Sequence, residues 1–170
     1  MVIGEKCADL LREDAARAAV DLDVVIVIAS AFALGGAMET SGLADHAAHA
    51  LTGAFSGFGS MGVLFGILLT TIVVLEMITN NAAAVLIFPI AMSAAEEVGA
   101  DPRAFALALA VTASASFLTP IGYQTNTMVY GPGGYRFGDY ARLGAPLTIV
   151  VIVAIMAVVP VFWPFAGAAP

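Results

Sequence analysis

The sequence predicts an all-α, polytopic membrane protein of about four to five membrane segments, including a re-entrant helical hairpin and a broken helix. Three observations carry this reading. The first is composition: 61% of the 170 residues are hydrophobic, 11% are charged and the mean hydropathy is +0.97. Soluble domains carry roughly 25% charged residues. The second is that the apolar residues fall into long runs separated by short polar stretches. The third is that two of these runs are interrupted by hydrogen-bond-rich clusters, Glu76–Asn81 and Thr119–Asn126. Backbone groups freed from a helix find no water in hydrocarbon, so such breaks persist where they line a cavity holding a ligand or ion. A pair of interrupted segments is the sequence pointer to a transporter's binding site.

Residues 1–22 mix Lys6, Arg12 and Arg17 with Glu5, Asp9, Glu13 and Asp14 around Leu10, Leu11 and Val20. They read as a cytosolic or interfacial amphipathic segment, and residues 23–170 as the transmembrane domain. Val24–Met38 forms a first span, short against the roughly 20 residues a bilayer needs, so it borrows from its flanks. Ala44–Gly59, with Asp45, His46 and His49, reads as interfacial. Ser60–Glu76 is a second long apolar segment. Ala82–Ala95 is a shorter one, of a length suited to a re-entrant or buried arm, and Pro89 should bend it. Arg103–Leu118 stops at Pro120. Leu143–Phe165 has full spanning length, with Trp163 placed for the interface. With the N-terminus cytoplasmic, Lys6, Arg12, Arg17, Arg136 and Arg142 all fall inside and only Arg103 outside, as the positive-inside rule expects. The protein is then a multi-pass component of the cell membrane with its C-terminus outside.

Several function classes drop out. No basic cluster suggests nucleic acid, and the net charge of -7 says little about a ligand, because most acidic residues lie in the N-terminal segment and in loops. The single Cys7 excludes an internal disulfide and a multi-cysteine metal site. The stretch after Met1 is acidic and amphipathic, unlike a secretory signal. No nucleophile–base pair or metal cluster appears in the apolar region, so an enzyme is not expected. His46 and His49, beside Asp45, have the spacing of a helical metal pair, but two histidines without further ligands read as interfacial residues. Gly131-Pro132-Gly133-Gly134 is a loop, and the methionines are packing.

The two breaks admit two readings each. Thr79-Asn80-Asn81 is either a turn between spans, with Asn and Thr as caps, or a hairpin tip at mid-membrane. In the second case one arm offers C-terminal carbonyls to a cation, and the other, starting near Ala82, offers N-terminal amides to an anion. Asn side chains serve both purposes, which matters because no Lys or Arg lies near either break. Glu76 is the only ionisable group in the second apolar segment; burying it is costly, and it is read as holding the hairpin tip in shape. At the second break Pro120 and Gly122 unwind the helix, and Ser114, Ser116, Thr119, Gln124, Thr125 and Asn126 supply hydroxyls and amides. It is either a kinked span or part of a site.

With both breaks in view, the chain resembles the C-terminal half of the divalent anion:sodium symporters of the ion transporter superfamily. Those proteins carry Ser-Asn-Thr at a hairpin tip, preceded by Thr-Glu. Here Glu76 matches the glutamate, and Thr79, Asn80 and Asn81 take the signature positions. The family's Pro-x-Gly-Thr-Pro-Pro-Asn run is matched by Pro120-Ile121-Gly122-Tyr123-Gln124-Thr125-Asn126, and Asp23–Leu43 looks like the segment that precedes the hairpin. Thr79, Asn81 and Tyr123-Gln124-Thr125 depart from the family pattern while keeping hydrogen-bonding groups. The second loop looks more like the sulfate-type branch than the dicarboxylate branch.

The resemblance implies one repeat of an inverted-repeat transporter. It implies Thr79, Asn80, Asn81, Ala82, Thr125 and Asn126 as anion contacts, and Thr79, Asn80, Thr119, Pro120, Gly122 and Asn126 as sodium contacts. Sodium is then the coupling ion, with no other cofactor. The implied partners are the lipid bilayer, a small anion, a missing N-terminal repeat or partner half and, in the full-length context, a second copy. Movement would be elevator-like. Two other readings stay open: a non-transporting membrane fragment or subunit, and a superfamily relative carrying citrate, arsenite or sodium against protons.

Overall fold

The computed structural model describes residues 22–165, and among them every regular element is helical. Seven α-helices follow in order: α1 Leu22–Thr40, α2 Leu43–Phe55, α3 Gly59–Leu75, α4 Asn80–Glu97, α5 Pro102–Thr112, α6 Gln124–Tyr130 and α7 Phe137–Phe162. A single 3₁₀ turn, Ser56–Phe58, joins α2 to α3. The surface helix expected at 1–22 lies outside the described residues, except that Leu22 opens α1.

Helix α4 is the hub, packing against α1, α2, α3 and α5. Its small residues make this possible. Ala83, Ala91, Ala94 and Ala95 are all buried, and small side chains let helices approach closely where lipid removes the hydrophobic drive between them. Around α4 the core is built from Leu64, Ile67 and Leu68 of α3, Phe105 and Ala108 of α5, Ala44 and Ala48 of α2, and Ile155 and Val159 of α7. Pro89 cannot donate to the carbonyl of Val85, and Gly35 brings α1 close to that oxygen: a Cβ there would sit 3.4 Å from it.

The outer surface is apolar. Val25, Ile26 and Phe32 on α1, and Leu143, Val150, Val153 and Val161 on α7, are exposed. Helix α7 has 26 residues and is apolar enough to cross a bilayer, with a length of about 39 Å at 1.5 Å per residue. Large exposed apolar surfaces mark contact with membrane or protein.

Three boundaries differ from the sequence expectation. The arm expected at Ala82–Ala95 is the 18-residue α4. Thr79 takes the N-cap position in an extended conformation (φ -75°, ψ 154°), so Asn80 and Asn81 enter the first turn, while Glu96 and Glu97 continue the helix past its apolar stretch. The segment expected to run to Leu118 stops at Thr112. Ser114 bonds back to the Ala110 carbonyl (3.2 Å), a competition that weakens helices, and Thr119 before Pro120 is steered away from helical geometry. The last helix starts six residues before Leu143 because the Asp139 carboxylate accepts the Arg136 amide at 2.8 Å, closing its first turn. Asp101 caps α5 in a similar way, accepting from the Arg103 amide at 2.9 Å. Asp101→Ala should therefore lower unfolding stability by about 1 kcal/mol, read as a shift in the denaturation midpoint in detergent, with the fold retained.

Candidate functional site

Helices α3 and α4 form a hairpin whose tip is Glu76–Thr79. Helix α3 ends in a tightened last turn, in which the Glu76 and Ile78 amides donate to the carbonyls of Ile72 and Val74 (3.1 and 3.0 Å) and the Met77 amide shares the Val74 carbonyl (3.0 Å). Helix α4 begins at the Thr79 cap: the Ala83 amide donates to the Thr79 carbonyl (2.9 Å) and the Ala82 amide to Thr79 Oγ1 (3.4 Å). The amides of Asn80 and Asn81 belong to the group a helix leaves without intrahelical partners, and the dipole makes that end attractive to negative charge. Asn81 is exposed and Asn80 half-buried. Asn80 Oδ1 is buried and accepts no hydrogen bond among the described residues.

The break between α5 and α6 covers residues 113–123 and is held by its own side chains. Thr119 Oγ1 accepts the Gly122 amide (3.3 Å). Asn126 Nδ2 donates to the carbonyls of Ser116 (3.0 Å) and Thr119 (3.3 Å), bracing the loop from the first turn of α6. Thr127 Oγ1 donates to the Pro120 carbonyl at 2.7 Å. From α7, the Tyr140 hydroxyl donates to the Asn126 carbonyl (3.0 Å). Asn126 also lines a cleft of about 300 Å³ with Phe117, Tyr135, Tyr140, Leu143 and Leu147.

One residue joins the two breaks. Glu76 Oε1 accepts the Leu118 amide at 3.1 Å, 42 residues along the chain. Gly122 packs into the same junction, where a Cβ would lie 3.0 Å from the Leu75 carbonyl and 3.3 Å from Glu76 Oε2 and would overlap Ser116 Oγ. The hairpin tip and the unwound loop are therefore in contact. Among the residues singled out from the sequence, Glu76 and Gly122 meet directly, Thr119, Pro120 and Asn126 belong to the same braced loop, and Thr79, Asn80, Asn81 and Ala82 form the adjoining helix start. Thr125 is exposed and makes none of these ties. From the sequence Ser116 is one hydroxyl among several near the second break and Leu118 only the end of an apolar segment, because its contribution is a backbone amide.

The other candidates find bland roles. Thr52 donates to Glu97 Oε2 (2.9 Å), and His49 Nδ1 lies 2.8 Å from Glu97 Oε1. Ser93 donates to Asp45 Oδ1 (2.8 Å). Asp45 and His49 thus fasten α2 to the C-terminal half of α4, and no group of three metal-ligating side chains occurs among the described residues. An apolar groove of about 570 Å³ between α1, α4 and α5, lined by Phe32, Val85, Phe88 and Leu109, has Glu39 as its one charged residue and is unsuited to an anion.

Comparison with known proteins agrees with this architecture. The family described as the sodium:sulfate symporter transmembrane region matches residues 11–168. An uncharacterized transporter of Synechocystis sp. is 46% identical over 136 residues, which are 80% of this chain and 22% of the relative. An uncharacterized transporter of Escherichia coli is 36% identical, over 83% of this chain and 23% of its own. Sodium/sulfate cotransporter 1 of Chlamydomonas reinhardtii is 35% identical, over 84% of this chain and 16% of its own. The chain thus spans about a fifth of the length of these relatives. It belongs to the sodium:sulfate symporter family, a family of multi-pass membrane transporters and not of enzymes.

Proposed function

We propose that this chain supplies one half of the ligand site in a sodium-coupled transporter of a sulfate-class anion. The observation that carries the reading is the junction itself: a capped helix start bearing Asn80 and Asn81, held by Glu76 against an unwound loop braced by Asn126. The amides at the start of α4 and the Asn side chains offer donors to the anion. The carbonyls of the unwound loop, the Thr79 hydroxyl and the orphaned Asn80 Oδ1 offer hard oxygen ligands to sodium. Charge of both signs is then met without a basic side chain.

The similarity to a sodium/sulfate cotransporter favours sulfate over a dicarboxylate. The opposing half of the site comes from an inverted repeat elsewhere in the full reading frame or from a partner chain. Identical copies sharing one orientation cannot recreate an inverted pair, although the complete transporter can still be a homodimer. The N-terminus is placed inside and the C-terminus outside on the distribution of arginine and lysine.

The test is uptake into vesicles from cells expressing the full reading frame that contains this chain. Labelled sulfate should accumulate under an inward sodium gradient and not under choline, and excess succinate should compete weakly. Accumulation unaffected by sodium would refute the coupling, and strong competition by succinate would move the substrate to the dicarboxylate class.

A further inference from the structure

The cleft of about 300 Å³ between the unwound loop, α6 and the start of α7 contains no residue of the hairpin tip and has a chemistry of its own. Its walls are aromatic and carry one carboxylate. Tyr135 and Tyr140 stand nearly perpendicular, with ring centroids 6.0 Å apart and an interplanar angle of 74°. Phe117 and Asp139 line the same space, and among the described residues no Lys or Arg does. The Tyr140 hydroxyl donates its proton to the Asn126 carbonyl (3.0 Å), so its oxygen faces other groups only as an acceptor. Asp139 Oδ2 accepts the Arg136 amide at 2.8 Å, which leaves Oδ1 for a second donor. Ring faces attract positive charge, and the carboxylate adds to that attraction. The cleft is built for a cation.

Its depth identifies the source of that cation. Arg142 is the last charged residue of α7, and Leu143–Phe162 carries none, a length matched to the roughly 20 residues that hydrocarbon requires. The α7 part of the lining runs from Asp139 to Leu147, so the cleft straddles the edge of the hydrocarbon, at headgroup level. Leu143 and Leu147 are exposed and lead on to exposed Val150, an apolar track one helix turn at a time. Arg136 and Arg142 are exposed at the same end of α7, where lipid phosphates lie. An ammonium, a phosphate beside it and a hydrocarbon chain below it together describe a zwitterionic phospholipid. The acceptor oxygens of Asp139 and Tyr140 select a primary ammonium, because a trimethylated nitrogen has no N–H to give them.

We propose that this cleft binds the headgroup of phosphatidylethanolamine. Asp139 and the faces of Tyr135 and Tyr140 hold the ammonium, Arg136 and Arg142 meet the phosphate, and an acyl chain lies along Leu143 and Leu147. The site stands independently of the sodium-coupled reading. It still touches the transport machinery, because Tyr140 braces Asn126, and an occupied cleft therefore steadies the unwound loop.

Asp139→Asn separates charge from capping, since the amide oxygen still accepts the Arg136 amide. Tyr135→Leu removes one aromatic wall and leaves the Tyr140–Asn126 bond in place. The full protein is heated in nanodiscs of phosphatidylcholine alone, or with added phosphatidylethanolamine or phosphatidylglycerol of the same acyl chains. Phosphatidylethanolamine should raise the wild-type melting midpoint by several degrees and phosphatidylglycerol should not. Asp139→Asn should remove most of the rise and Tyr135→Leu should reduce it, with both variants close to wild type in phosphatidylcholine. In native mass spectrometry Asp139→Asn should weaken retention of phosphatidylethanolamine roughly tenfold, the low end for a hydrogen bond between charged groups. Absence of a wild-type rise overturns the proposal. A full rise in both variants also overturns it, because the effect then belongs to the bilayer and not to the cleft. An equal rise with phosphatidylglycerol overturns it in favour of an anionic lipid on the two arginines. Soluble phosphoethanolamine added to phosphatidylcholine discs should have no effect, and a rise equal to the lipid's would overturn the lipid as occupant. If Tyr135→Leu fails to fold, Asp139→Asn alone decides. Melting needs no transport, so these outcomes judge the cleft whether or not sulfate is carried.

Discussion

Asn80→Ala is expected to abolish sodium-dependent anion uptake, by roughly 100-fold or more, while leaving membrane insertion and thermal stability unchanged. The magnitude follows from what the side chain offers. Hydrogen bonds to charged ligands contribute about 1.5–3 kcal/mol each, and Asn80 supplies an acceptor and two donors at the start of α4. Losing an interaction with each of two ligands therefore costs two or more powers of ten. The expectation of undiminished stability is the sharper half of the prediction. Asn80 Oδ1 is buried and unpartnered among the described residues, so its removal deletes no internal bond and relieves a desolvation cost. Alanine is also the strongest helix former for that first turn. Uptake and melting are measured on the same preparation. Retained sodium-dependent uptake would sink the assignment of Asn80, whereas a large fall in the melting midpoint would recast it as a structural residue.

That experiment bears on the part of the site most legible in the chain itself. Polar residues inside apolar runs are conspicuous, so Glu76, Thr79, Asn80 and Asn81 stood out, and the helical character of the whole followed from composition. What the sequence concealed was which residues meet. Thr79-Asn80-Asn81 reads as one polar tip, yet the Thr79 cap places both asparagines within α4, a distinction that depends on one backbone torsion. The second break begins at Ala113, well before Pro120. Proline announces a break, but here the helix ends earlier, beside a single serine, Ser114, whose hydroxyl bonds back to the Ala110 carbonyl. The tie between the breaks is a carboxylate on a backbone amide, Glu76 to Leu118. Any residue except proline can supply an amide, so no side-chain pattern signals the partner. Ser116 is equally unremarkable in an Ala- and Ser-rich stretch, and it gains meaning only through its approach to Gly122.

Gly144→Leu is expected to have the largest structural effect of any single change near the site, because two backbones meet there. Helix α7 crosses the unwound segment at Gly144, which is buried, and even a methyl group at that position would overlap the carbonyl carbon and oxygen of Phe117. A flexible side chain can rotate out of the way of a new Cβ; a carbonyl held within a braced loop cannot. Overpacking typically costs about 1–3 kcal/mol and more where backbone must move, so the leucine variant should fall at or beyond the top of that range. The displaced residue lies between Ser116 and Leu118, whose carbonyl and amide bond to Asn126 and Glu76. Damage at Gly144 should therefore reach both halves of the junction without altering any candidate ligand. Gly144→Leu should yield little folded protein on size-exclusion chromatography, and Gly144→Ala should fold with a lowered melting midpoint and impaired uptake. A wild-type midpoint for Gly144→Ala would mean that α7 does not seat against Phe117, and the unwound loop would then be held by Glu76, Asn126 and Thr127 without it.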